Sequence, residues 1–487
     1  MSQSWLVLKF GGTSVAGEPQ WSGIAKLARS RMDSGYRVVL VCSAVAGVTN
    51  ALQRLADSAS VADKTHIESI IAPNRALARS LNVSADDLLE HSAIEIGGLS
   101  AVISSTDSAA DRYSAIADLL SIGEWLCTRI GERYLATLLA VKWADVRQAL
   151  KALAEPDGSV KRSRLLARCE SGPDKDLQNT WRQEVPVIIT QGFVASHPEG
   201  GSALLGRGGS DTSAALLASR LKAEHVEIWT DIPGLFSADP RVLSEAKLLR
   251  RVNYQEALEM AASGARVVHP RCIRVAADSE IPILVRDLSQ PDFEGTCIDS
   301  DDQHGTQVLE GIRGVCHQTG MAVLLLQTLD TREHVGFLAW VFEQFKQSGV
   351  SIDLVATSET TTTVAINRNR NQLDTQSLEN LTDELRARCA VTVFPNCSGI
   401  NLVGRGARVA LADIDSTGTF FKNHPLLMVS QSANDLCISL LLHTADAETM
   451  LPLLHNALIG KGLDDQQKQS VFGPDWQEIR GLYDHSG

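Results

Sequence analysis

WLVLKFGGTSVAG (residues 5–17) is a short apolar run broken by two glycines. Residues 5–10 have the length and aliphatic content of a buried strand, and the glycines mark a tight turn. A helical apolar spacing follows over residues 21–32, and a second apolar run, RVVLVC, occupies 37–42. Strand, glycine turn, helix and strand make a βαβ unit, whose parallel strands need the helix as a crossover. The expectation is an α/β domain, a mainly parallel sheet flanked by helices.

Working outward, residues 185–194, 225–229 and 281–285 read as further strands, and residues 111–141 keep a helical spacing over a long span. Residues 156–184 are charged and poorly periodic, which predicts a surface excursion. Past residue 300 the pattern changes. Strand 321–327, helix 335–348, strands 352–356 and 361–366, helix 375–388 and strand 391–394 follow in the order βαββαβ. That order recurs from Ser398, with strands 426–430 and 436–442 and a helix at 447–458. A repeat of about 75 residues predicts two ferredoxin-like modules side by side. The expected division is 1–300, 310–395, 396–460 and a tail or linker at 461–487, with the acidic stretch 299–302 as the first boundary.

Composition excludes several classes of function. With 45 Lys+Arg against 58 Asp+Glu, the net charge of −13 disfavours a protein that follows nucleic acid or an anionic membrane by bulk attraction. No uncharged run is long and apolar enough for a spanning helix, and Met1–Phe10 lacks the basic start of a signal peptide. The nine Cys contain no C-x-x-C pair, and the twelve His no H-E-x-x-H. That is the usage of a reducing cytoplasm, with no disulfide frame and no protein-bound metal expected.

Four places carry residue types that could contact a charged ligand. Lys9 stands at the end of the first strand beside Gly11 and Gly12, where backbone N–H groups can approach an anion. GRGGSD (206–211) precedes a helical run, so Arg207 and Asp211 flank a glycine-rich helix start; a helix cap alone would explain Asp211 but not the glycines. TDIPGLFSADPR (230–241) follows a strand, and ligands of open α/β sheets bind beyond the carboxyl ends of strands, where Asp231 falls. Glu124 shares a helical stripe with Ile116, Leu120 and Cys127. A carboxylate there is either solvated at the rim of the stripe or needs a partner from elsewhere, such as a bound ammonium group.

KFGGTSV (9–15), SAVAGVTN (43–50), SIGE (121–124), GRGGSD, TDIPGLFSADPR and GARVVHP (264–270), in this order, resemble the aspartate kinases of the amino-acid kinase superfamily. GFLAWVFEQFKQSGVSIDLVATSE (336–359) and SQSANDLCISLLLH (430–443) resemble the paired ACT modules of the lysine-sensitive type. The resemblance implies an amino-acid kinase fold followed by two ACT modules. It also implies transfer of the ATP γ-phosphoryl group to the side-chain carboxylate of L-aspartate, with Mg²⁺ on the nucleotide. Such a step opens the route to diaminopimelate, lysine, threonine and methionine. The rival readings are another amino-acid kinase and an inactive amino-acid sensor. The same type also occurs fused to diaminopimelate decarboxylase.

Residue by residue, the resemblance implies Lys9 and Asp211 as catalytic, with Lys9, Gly11 and Gly12 at the phosphates. It implies Ser43, Thr49, Glu124 and Arg207 at the amino-acid substrate, and Thr230, Asp231, Phe236, Arg241 and Arg266 at the nucleotide. The family usually has Tyr in place of Phe236 and Lys in place of Arg266, which alters nucleotide contacts more than the reaction. Phe337 and Leu338, at a helix start, and Ser351, Asp353, Thr357, Ser358 and Glu359, around the next strand, are expected close together as an effector site for lysine. ACT modules usually bind effectors between two copies, so a homodimer through them is expected.

Overall fold

The computed structural model describes residues 3–156, 158–265, 267–300, 310–327, 335–414 and 420–484. It divides into two compact units, one of residues 3–235 with 267–300 and one of residues 236–265 with the described residues from 310 onward. The sequence-based division at residue 300 therefore differs from the observed one at residues 236–265, which cluster with the C-terminal unit.

In the first unit, parallel strands run in the order Val141–Trp143, Val187–Gln191, Arg37–Cys42, Trp5–Phe10, Val226–Thr230 and Ile283–Asp287, with Thr296–Asp299 antiparallel beyond. The central strands are buried on both faces, as unbroken aliphatic runs such as WLVL and RVVLV require. Helix Glu18–Asp33 makes the first crossover. Because the strands are parallel, Phe10, Cys42, Gln191, Thr230 and Asp287 all end on one edge of the sheet.

Two long helices, Lys64–Ser80 and Asp86–Ser105, fill a stretch in which the sequence reading placed no element. The charged stretch 156–184 is also more ordered than its composition suggested. Helix Lys175–Arg182 turns Leu177 and Trp181 inward, and Trp181 meets the Trp5 ring edge-on at 6.5 Å. Two apolar residues in eight suffice to dock a short amphipathic helix.

The second unit contains one six-stranded sheet in the order Leu354–Thr357, Thr361–Asn367, Gly314–Gln327, Ala390–Val403, Cys437–His443, Met428–Gln431. Both central strands are 14 residues long and serve two ferredoxin-like modules at once. Met321–Gln327 pairs with the start of Ala390–Val403 in the first module; Gly314–Gln318 pairs with its end and completes the second. The register shifts at the irregularity between Gln318 and Val323. Ala322, Leu324 and Leu326 face helices Phe337–Gln347 and Thr375–Arg386. Met321 and Val323, one residue out of phase, enter a separate cluster with Met428 and Leu441.

Residues 461–484 are not loose chain. Helix Asp465–Val471 starts on an Asp464–Gln467 capping box, strand Phe472–Asp475 pairs with Lys247–Leu249, and helix Trp476–Asp484 follows. Among the described residues no helix is long and apolar enough to cross a membrane.

In the first unit the Trp21 ring is pinned by its Nε1–H, which donates to the Val15 carbonyl at 3.0 Å, and its six-membered ring packs against Gly131 of helix Ala109–Leu135. A Cβ at residue 131 would come within 1.9 Å of that ring. Gly131→Ala is expected to destabilise the first unit by about 1–3 kcal/mol, a typical overpacking cost. Denaturant unfolding followed by Trp fluorescence checks this, and an unchanged midpoint would contradict it.

Candidate active site

The candidate residues of the first unit gather on the carboxyl edge of its sheet. Lys9 is the penultimate residue of strand Trp5–Phe10, and its Nζ lies 2.6 Å from Asp211 Oδ1; both side chains are 12% exposed. Asp211 belongs to the first turn of helix Gly209–Leu221, so its charge suits the helix start. Gly11 and Gly12 lead into the single turn Thr13–Val15, and the Ala46 N–H donates to the Gly12 carbonyl at 3.3 Å. The loop after the second strand is thereby tied to the loop after the first. Half-buried Ser43 donates its N–H to the Phe10 carbonyl at 3.1 Å, and half-buried Thr49 lies in helix Val48–Ser58.

Glu124 is only 3% exposed, which overturns the solvated-rim reading. Helix Ala109–Leu135 carries it against Ala44, whose backbone N–H donates to the carboxylate, while Oε2 has no partner within the chain. Burial pushes its carboxyl up to about 8, opposed by the Ala44 hydrogen bond. A half-satisfied carboxyl in this setting is a receptor for a hydrogen-bond donor, above all a cationic one.

Arg207 is exposed, between Gly206 and Gly208 in a turn that leads into the helix bearing Asp211. Gly208 has φ of +66°, and any Cβ there would fall 2.2 Å from the ring of His269. His269 is a site-shaping residue that the sequence reading passed over, although GARVVHP contains it. Its Nδ1 accepts the Arg271 N–H and caps helix Pro270–Asp278. Burial holds its imidazole below the ordinary range, with Asp211 pulling the other way. Arg271, also passed over, donates to the Leu205 and Ala167 carbonyls and fixes the loop before Gly206.

Of the residues expected at the nucleotide, Thr230 ends its strand and donates to Asp231 Oδ1 at 3.1 Å, and Asp231 is exposed. Phe236 and Arg241 belong to the second unit. The Phe236 ring is 5% exposed, packed under the edge of Trp476, so it is enclosed rather than open to a base. Arg241 is 75% exposed and held by Asp239 through Nε and Nη2 at 3.0 and 2.8 Å. Arg266 lies outside the described residues. Among the described residues, no group of three or more His, Cys, Asp or Glu could hold a metal ion.

The expected effector set is divided by the register of its own module. Helix Phe337–Gln347 starts at the sheet end marked by Gln327, Thr357 and Thr361, where exposed Leu338, Thr357, Ser358 and Glu359 and half-buried Phe337 also lie. Ser351 and Asp353 precede the strand at its other end. There Asp353 accepts the Asn367 N–H and pairs with Arg370, while the Ser351 N–H donates to Asn371 Oδ1. The two groups are therefore not neighbours within one chain, because a strand of four residues separates them.

Residues 4–287 match the amino acid kinase family, more than half of the chain. Over 468 residues the chain is 30% identical to lysine-sensitive aspartokinase 3 of Escherichia coli, covering 93% of this chain and 99% of that one. The chain belongs to the amino acid kinase family, in its aspartokinase group. Chloroplastic aspartokinase 2 of Arabidopsis thaliana is 28% identical, over 93% of this chain and 84% of its own. Among solved structures, E. coli aspartokinase III in complex with aspartate and ADP superposes with a TM-score of 0.75 at 29% identity, covering 93% of this chain and 99% of that one. The same enzyme in complex with lysine and aspartate gives 0.72 at 28%. The resemblance read from six ordered motifs is thus borne out over nearly the whole length, and with it the fold class.

The buried carboxyl sets a sign for stability against pH. Folding raises Glu124 from its ordinary 4.5 to about 8. Between those values the unfolded chain holds fewer protons than the folded one, so this group's contribution falls as pH rises. Glu124→Gln lacks that dependence. Its stability relative to the parent is expected to increase by more than about 1 kcal/mol from pH 5 to pH 8. Unfolding curves of both proteins at the two pH values measure it, and parallel curves would contradict it.

Proposed function

We propose that this chain is an ATP:L-aspartate 4-phosphotransferase, forming L-4-aspartyl phosphate, and that it acts in the cytoplasm. The observation that supports it most is the Lys9–Asp211 pair on the same sheet edge as the buried, half-satisfied carboxyl of Glu124. A carboxylate acceptor is already a nucleophile, so the chemistry asks for alignment and charge stabilisation rather than a general base. Lys9 meets the charge on the transferring phosphoryl group. Gly11, Gly12 and the start of helix Gly209–Leu221 offer backbone N–H groups to phosphate.

Glu124 takes the substrate α-ammonium, which supplies the partner its Oε2 lacks. Arg207 takes the α-carboxylate, with Ser43 and Thr49 alongside. Thr230, Asp231, Arg241 and Arg266 are the nucleotide residues, and Phe236 anchors the segment that leads to Arg241. Asp211 would help to hold a Mg²⁺ ion carried in with the nucleotide, which would supply neutralisation of the phosphate charge. An acyl-hydroxamate assay with ATP, Mg²⁺ and a panel of amino acids tests the activity; turnover confined to glutamate, or absent, would overturn it. In the same assay Lys9→Ala is expected to lower kcat about 100-fold or more. Arg207→Ala is expected to raise KM for aspartate about tenfold or more, with KM for ATP little changed.

We also propose lysine as the feedback inhibitor. Exposed backbone N–H groups at the start of helix Phe337–Gln347 suit an α-carboxylate, and Asp353 and Glu359 suit ammonium groups. Since Asp353 and the helix start occupy opposite ends of one module, a single ligand reaching both needs a second copy of the chain. That supports a homodimer through the modules. Asp353→Asn and Glu359→Ala are each expected to raise the half-inhibiting lysine concentration at least about fivefold while leaving uninhibited kcat near that of the parent. Calorimetry showing no lysine binding to the intact enzyme would overturn it.

A further inference from the structure

The C-terminal residues 464–484 have no part in the readings above, yet they are bonded to one particular loop of their own unit. That loop, residues 236–249, is closed at its base by Phe236, which bridges Leu248, and by the Ser237 N–H, which donates to the Lys247 carbonyl at 2.8 Å. The Lys247 N–H returns to Ser237 Oγ at 2.8 Å. So short a ladder is marginal alone, and a third strand is the usual remedy.

The third strand is Phe472–Asp475, antiparallel to Lys247–Leu249. On either side of it the Arg250 N–H donates to the Val471 carbonyl at 2.8 Å and the Trp476 N–H to the Ala246 carbonyl at 3.0 Å. Gln477 Nε2 donates to Ser244 Oγ at 2.8 Å. Finally Trp476 meets the Phe236 ring at 90° with centroids 5.5 Å apart, the favoured edge-to-face contact. Every bond of the segment named here lands between Phe236 and Arg250, and the loop so held presents the Asp239–Arg241 pair to solvent.

We propose that the C-terminal segment is a clamp on the loop 236–249 and that Trp476 is a positioning residue for nucleotide binding. The clamp fixes Phe236, Phe236 fixes the base of the loop, and the base fixes where Arg241 stands. This rests on the nucleotide role proposed for Arg241. Trp476 touches no substrate, so its removal loosens the loop without removing any group from the reaction.

The test is steady-state kinetics on the full-length enzyme. Trp476→Ala is expected to raise KM for ATP about threefold to tenfold, in proportion to an aromatic pair's contribution, with kcat and KM for aspartate within about twofold. Trp476→Phe, which keeps a ring, should recover most of the loss, and Arg241→Ala should raise KM for ATP as well. If Arg241→Ala raises it and Trp476→Ala does not, the clamp is overturned and the nucleotide reading stands. If neither does, both fall. Equal losses in kcat and both KM values would mean a general structural role and would overturn the positioning role. Should Trp476→Ala fail to fold, Trp476→Leu keeps the apolar bulk, and a parental KM for ATP there overturns the proposal equally.

Discussion

Lys9 and Asp211 are far apart in the first unit's sequence yet meet at 2.6 Å, and the rest of the site is arranged around that meeting. An ammonium group with little access to water needs a counter-charge, and Asp211 supplies it. The pairing demands that the end of the first strand and the start of helix Gly209–Leu221 share one edge of the sheet. A parallel sheet makes this natural, because every crossover returns the chain to the same end before the next strand begins. Gly208 over the His269 ring and Arg271 on the carbonyls of Leu205 and Ala167 then hold that helix start in place. A charge pair of this kind can exchange partners. In the function proposed above, Lys9 would share its charge between Asp211 and the transferring phosphoryl group, which is the sense in which such a site is organised in advance.

Glu124 poses the opposite problem: a carboxyl buried with one acceptor unmet. Its environment favours the neutral form. A cation delivered to Oε2 reverses that preference, so ligand binding and ionisation at this residue are one event. On the substrate role proposed for Glu124, the site would therefore favour a cationic ligand group over a neutral one.

Much of this was readable from the sequence where the physics is local. WLVLKFGG followed by a helical spacing can hardly be anything but a strand, a turn and a crossover, and GRGGSD announces a helix start that must approach something closely. What escaped notice depended on partners distant in sequence. Helix Lys175–Arg182 looks polar because only Leu177 and Trp181 dock it. Strand Gly314–Gln327 was read from Met321 onward because GVCHQTG lacks alternation, and its pairing with the end of Ala390–Val403 is what makes it a strand. His269 before Pro270 signals a helix cap locally, but its part in shaping the site depends on Gly208 coming to lie on its ring. The effector residues are grouped on the expectation that a ferredoxin-like module brings its helix start and the next strand together. A four-residue strand sends Asp353 and Glu359 to opposite ends of a module, and composition holds no trace of that.

The shared strands of the second unit have a mechanical consequence. Gly314–Gln327 and Ala390–Val403 each run through both modules, so neither module can shift its central strands without carrying the other along. Helix Thr444–Leu458 packs on the second module, and its buried His455 shares a 2.8 Å hydrogen bond with Ser237 Oγ at the base of the loop that bears Arg241. Contact is therefore continuous from the helix start at Phe337, through the long strands, to that loop. A packed interior is stiff and rearranges between discrete states rather than deforming smoothly, so the helix start and the loop are parts of one continuously packed body. The second unit is a single packed body: two modules that share their central strands, a loop bonded to them through Ser237 and His455, and a C-terminal segment bonded in turn to that loop.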